Sequence, residues 1–97
     1  MNRDEIKEKL ISLCAEIFKD SNVDTDLLEY VDFADDLGMD SITFITLIVE
    51  LEATFDITVP DDLLLMDNFK TMDDINKLVY KLCQSQEYKL TKGNENE

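Results

Sequence analysis

From Ile42 to Phe55 the chain is apolar, alanine or threonine at every position except Glu50 and Glu52. A run of this kind at helical length is apolar on more than one face. Leu47, Ile48, Leu51 and Phe55 keep the three-and-four spacing of a core stripe, and Ile42, Ile45 and Val49 form a second stripe beside it. A narrow core cannot cover both. One stripe must lie under a loop or remain as surface for a partner. The preceding residues, DDLGMDSI over 35–42, fix where the helix starts. Gly38 permits a sharp turn that a side chain would resist, and Asp40 and Ser41 occupy the N-cap region, so the helix begins at Ser41. Its hydroxyl then sits at an exposed helix mouth, where unpaired N–H groups and the positive end of the helix dipole favour a phosphate. Asp-Ser before a helix is by itself an ordinary cap.

Three further helical segments surround this one. Asn2 and Glu5 form a capping pair ahead of Ile6, Leu10, Leu13 and Ile17, which predicts an amphipathic helix to about Lys19. Residues 20–39 read as a long connection with one helical turn in it, pinned to the core by some of Val23, Leu27, Leu28, Tyr30, Val31 and Phe33. After Phe55, Thr58-Val59-Pro60 breaks the helix, and Pro60 opens a brief one through Leu63, Leu64 and Leu65. Thr71 and Asp74 form a capping box before Ile75, Leu78, Val79 and Leu82, the last helix. Past Gln84 the sequence turns polar, which sets off 85–97 as a disordered tail and 1–84 as the domain. The expected fold is all-α: a small four-helix bundle, three helices long and one short, with a long loop between the first two.

Charge is segregated along the chain. Residues 20–69 hold 14 Asp or Glu and no Lys or Arg, whereas the flanks hold the other 9 acids and all 9 bases. The whole net charge of −14 therefore lies around Ser41. Such a surface repels nucleic acid and steers basic proteins towards itself. No stretch approaches the roughly 20 apolar residues of a membrane span, and the N-terminal region lacks the pattern of a signal peptide, so a cytoplasmic monomer is expected. Cys14 and Cys83 lie far apart with no histidine anywhere, which leaves them as reduced, structural thiols and supplies no metal site. The same lack removes the usual base for activating Ser41 as a nucleophile, and no catalytic residue is assigned. Asp20, Asn22, Asp24 and Asp26 imitate the start of an EF-hand loop. That loop needs Gly at its sixth position and Glu at its twelfth, where this chain has Thr25 and Val31.

The segment DDLGMDSITFITLIVELEATFDITVPDDL resembles the acyl and peptidyl carrier proteins. The resemblance rests on Leu37, Gly38, Asp40, Ser41 and Ile42, then Leu51, Glu52 and Phe55, then Ile57, Val59 and Pro60. Thr71, Asp74 and Ile75 open the last helix in the family's manner, so about residues 3–84 are covered. The resemblance implies 4′-phosphopantetheine, taken from coenzyme A, esterified to Ser41, with Asp40 and Gly38 shaping the attachment site. It also implies a partner face of Leu37, Met39, Ile42, Ile45, Val49, Glu50, Glu52, Val59 and Asp61. The implied role is a stand-alone acyl carrier holding thioesters, not an enzyme. Its implied partners are a phosphopantetheinyl transferase and a loading ligase, ketosynthase, acyltransferase or condensation-type enzyme. Fatty-acid carriers usually show acids just after the serine, whereas this chain has Thr43, Phe44 and Thr46, which favours a polyketide, nonribosomal peptide or specialised lipid pathway. An aminoacyl, peptidyl or D-alanyl carrier and a housekeeping fatty-acid carrier stay open as alternatives. So do an acidic adaptor without cargo and, from the EF-hand imitation, a calcium-responsive helix pair.

Overall fold

The computed structural model describes residues 1–21 and 23–96, with side chains described as far as residue 84. Three α-helices, α1 (Arg3–Ile17), α2 (Ser41–Phe55) and α3 (Met72–Asn96), are joined by segments containing four 3₁₀ turns, with no strand among the described residues. The side chains of the tail set off at 85–97 lie outside the described residues. The expected all-α bundle is present, and its short helix is the single 3₁₀ turn Asp61–Leu63.

Helix α1 begins at a complete capping box, in which the Asn2 side chain accepts from the Glu5 N–H at 2.8 Å and the Glu5 carboxylate accepts from the Asn2 N–H at 3.0 Å. It buries Ile6, Leu10, Leu13 and Cys14. The helix ends at Ile17, two residues short of the expected Lys19, and Ile17 is only half-buried. The inward position passes to Phe18, which leaves helical geometry and stacks on Phe33 with ring centroids 5.1 Å apart. Phe33, at 0% exposure, is the deepest anchor of the long connection. Its N–H donates to the Lys70 carbonyl at 2.7 Å and straps the connection to the start of α3.

Leu47, Ile48, Leu51 and Phe55 of α2 are buried as the core stripe, in one cluster with Ile75 and Val79 of α3. Full burial of each such side chain stabilises the fold by about 1.5–3 kcal/mol. Between α1 and α3 lies a polar lock. Arg3 Nε donates to Asn76 Oδ1 at 2.7 Å, and Asn76 Nδ2 returns a bond to the Arg3 carbonyl at 3.1 Å. Asn76 is buried, and these two bonds satisfy the amide that the core encloses.

Helix α2 stops where Asp56 turns left-handed at φ 54° and its N–H reaches the Glu52 carbonyl. The chain then runs through Ile57 and Val59, both buried, with exposed Thr58 between them. Pro60 caps the 3₁₀ turn rather than opening it, since that turn begins at Asp61. At the start of α3, the Thr71 hydroxyl accepts from the Asp74 N–H at 3.2 Å.

Candidate functional site

The approach to Ser41 is built by two aspartates that sequence reasoning passed over. Asp32 Oδ1 accepts from the N–H groups of Ala34 and Asp35 at 2.9 and 2.8 Å, while Asp36 Oδ2 accepts from the Asp32 N–H at 2.7 Å. The two carboxylates wind the backbone into a tight turn. The readable signal was the Asp-rich spacing itself, since aspartate bonds backbone groups two or three residues on. Gly38 closes the turn at φ +68°, with its N–H on the Ala34 carbonyl at 3.1 Å. Met39 then drops its side chain into the core at 5% exposure, and Asp40 faces out in extended geometry.

Helix α2 starts at Ser41, as the sequence indicates. Asp40 is the N-cap: its Oδ1 accepts from the Thr43 N–H at 2.8 Å, and its carbonyl accepts from the Phe44 N–H at 2.8 Å. Bonds from the Thr43 N–H, and next from the Thr43 hydroxyl, hold the Asp40 carboxyl below the usual carboxylate range. That makes it a weaker base than an ordinary aspartate. Ser41 itself is exposed on the first turn, beside the positive end of the helix dipole. The arrangement presents a hydroxyl and suits a phosphoester, but it contains no group placed to activate that hydroxyl.

Along α2 the second apolar stripe is open: Ile42 is 77% exposed, Ile45 61% and Val49 56%. Glu50 beside it is exposed, as is Asp61 on the turn after Pro60, and Leu37 is half-buried. These residues form a surface that a protein could cover. Two of the residues expected there do not. Met39 and Val59 are 5% and 4% exposed, because the turn at Gly38 and the alternation Ile57-Thr58-Val59 aim both side chains inward. Glu52 is half-buried and accepts from the Val59 N–H at 2.8 Å, so it ties the segment after α2 back onto the helix. Cys14 is fully enclosed, and burial pushes its thiol up to about 12.

A small helical bundle with the Ser41 hydroxyl exposed at the mouth of α2 has a form compatible with a carrier, a domain modified and handled by other proteins. Comparison with known proteins makes the class specific. The family described as "Phosphopantetheine attachment site" matches residues 8–77. The acyl carrier protein of Kocuria rhizophila is 33% identical over 70 residues, spanning 70% of this chain and 84% of the relative. That of Lactobacillus johnsonii is 36% identical over 63 residues, spanning 64% and 75%. That of Onion yellows phytoplasma is 46% identical over 43 residues, spanning 44% and 54%. The chain belongs to the phosphopantetheine-attachment family of acyl carrier proteins, which are carriers rather than enzymes, and the cofactor of the family is 4′-phosphopantetheine.

Proposed function

We propose that Ser41 Oγ carries the phosphopantetheine arm and that the protein hands acyl groups between the enzymes of a polyketide, nonribosomal peptide or specialised lipid pathway. The arm supplies a thiol on which acyl groups are held as thioesters. The observation that carries the assignment is the exposed Ser41 on the first turn of α2, capped by Asp40 so that the hydroxyl takes no part in holding the helix. A phosphate there lies at the end of the helix where negative charge is favoured. Gly38 and Asp40 set the turn and the cap, and neither needs to move for the hydroxyl to be reached. The transferase that attaches the arm from coenzyme A brings the base that takes the Ser41 proton, since Asp40 is engaged with Thr43 and the chain has no histidine.

Ile42, Ile45, Val49, Glu50, Leu37 and Asp61 form the surface for partner enzymes, with the apolar strip supplying contact area and the surrounding acids steering basic surfaces onto it. The pathway assignment rests on Thr43, Phe44 and Thr46 in the first turns of α2. Thr46 donates its hydroxyl to the Ile42 carbonyl at 3.1 Å, so a threonine bonded to its own helix, and not an acid, stands at this position.

Attachment is tested by incubating the protein with a phosphopantetheinyl transferase and coenzyme A and reading the intact mass. Wild type should gain one arm. Ser41→Ala should gain none while keeping its helical circular dichroism and a stability within about 0.5 kcal/mol, as an exposed substitution does. A mass gain retained by Ser41→Ala would place the arm elsewhere.

A further inference from the structure

Ser41 stands just beyond a piece of backbone that closes on itself. The Asp36 N–H donates to the Asp32 carbonyl at 2.8 Å and the Gly38 N–H to the Ala34 carbonyl at 3.1 Å, which makes one helical turn. The Met39 N–H then reaches back to the Phe33 carbonyl at 2.9 Å. Both ends of this loop are anchored. The side chains of Phe33 and Met39 are buried, and the Phe33 N–H is held by the Lys70 carbonyl at 2.7 Å. With two soft dihedrals per residue, the placement of 33–39 decides where Asp40 and Ser41 emerge. A single helical turn does not hold itself, because its first N–H groups find no carbonyl within it and nucleation outweighs the bonds gained. Asp32 supplies what is missing. Its Oδ1 takes two of those N–H groups, from Ala34 and Asp35, while Asp36 Oδ2 takes the N–H of Asp32 itself. The Asp35 carboxylate, exposed between them, has no part in these bonds.

We propose that Asp32 is a positioning residue for the modification of Ser41: through the turn 33–39 it holds the hydroxyl where a transferase can use it. The proposal rests on the attachment proposed above. In that step Ser41 Oγ bonds to the phosphorus that bears pantetheine, and the bond from that phosphorus to the bridging oxygen of coenzyme A breaks. Adenosine 3′,5′-bisphosphate leaves, and the Ser41 proton passes to a base of the transferase. The attacking oxygen must lie in line with the breaking bond, and misplacing it by about 1 Å can cost about a hundredfold. Docking is a separate matter. Ile42, Ile45 and Val49 lie within α2, whose start is capped by Asp40 and not by Asp32. Loss of Asp32 therefore slows the transfer without weakening the encounter.

The test follows mass gain in single turnover, with a phosphopantetheinyl transferase in excess and coenzyme A saturating, well below the melting temperature of every variant. Asp32→Ala should lower the maximal rate by about tenfold or more, while the transferase concentration that gives half of it stays within about twofold of wild type. Asp32→Asn keeps the Oδ1 acceptor and should recover most of the rate. Asp35→Asn removes the same charge from a side chain outside the turn's bonds and should leave the maximal rate unchanged. A merely structural role would lower the melting temperature of Asp32→Ala yet leave the folded protein reacting at the wild-type rate, which would overturn the proposal. So would a change confined to the half-saturating concentration, or an equal slowing in both asparagine variants. If Asp32→Ala does not fold, Asp36→Ala takes its place, since it loses only the bond from the Asp32 N–H. It should be slowed in the same sense, and an unchanged rate would overturn the proposal. Wild type that gains no mass would overturn the attachment at Ser41 itself.

Discussion

Gly38 holds φ at +68°, yet a Cβ there would meet nothing within 4 Å, so its requirement is one of backbone and not of space. Gly38→Ala should cost about 1–2 kcal/mol in urea unfolding, the penalty of left-handed geometry for a residue with a Cβ. Gly38→Asn should cost less, because asparagine tolerates that geometry. Equal losses in both variants would mean that something other than φ decides the position. Gly38, Asp40 and Ser41 were legible in the sequence because turn and cap chemistry is local: each acts on backbone within four residues of itself. Met39 and Val59 were not placed correctly, since their neighbours in a motif said nothing of which way a side chain points. The alternation Ile57-Thr58-Val59 did hold that information, with two apolar side chains on one side of an extended step and a threonine on the other.

At the scale of elements, α2 divides its apolar surface into a buried stripe and an open one, and both were readable from spacing alone. Periodicity fixes which residues share a face. It does not fix which polar side chains that face engages, and Glu52 shows the difference. Its placement on the partner face came from the family resemblance, whereas the fold commits one carboxylate oxygen to the Val59 N–H, seven residues away. Glu52→Ala should lower stability by about 1.5–3 kcal/mol, because a buried backbone N–H loses a charged acceptor. Glu52→Gln keeps an acceptor and should lose less than half of that. If alanine and glutamine cost the same small amount in chemical denaturation, the tie is not a structural one. Helix α1 ends two residues before the expected Lys19, where Phe18 leaves helical geometry and stacks on Phe33, a contact from the long connection that spacing within α1 does not reveal.

Across the whole molecule, unlike charges fail to offset one another. The net charge is −14, and the ion pairs among the described residues reach only Glu29 and Asp67 within the acidic segment 20–69. All five of these pairs are solvent-exposed to a large degree, which makes each worth little. Self-repulsion of the acids should therefore outweigh them. Salt shortens the screening length from about 30 Å at 0.01 M to about 3 Å at 1 M, so the melting temperature should rise across that range. A fall on adding salt would show that the ion pairs, and not the repulsion, dominate. The same acids flank Ser41 along the chain, on both sides of the start of α2.

The central claim is that one hydroxyl of this chain, at the mouth of α2, holds the arm. The chain offers three other serines, Ser12, Ser21 and Ser85, against which that claim can be judged. Fragmentation mass spectrometry of the protein after treatment with transferase and coenzyme A places the added mass on a single residue. The account predicts that it lies on Ser41 alone, and an arm on any other residue would contradict it.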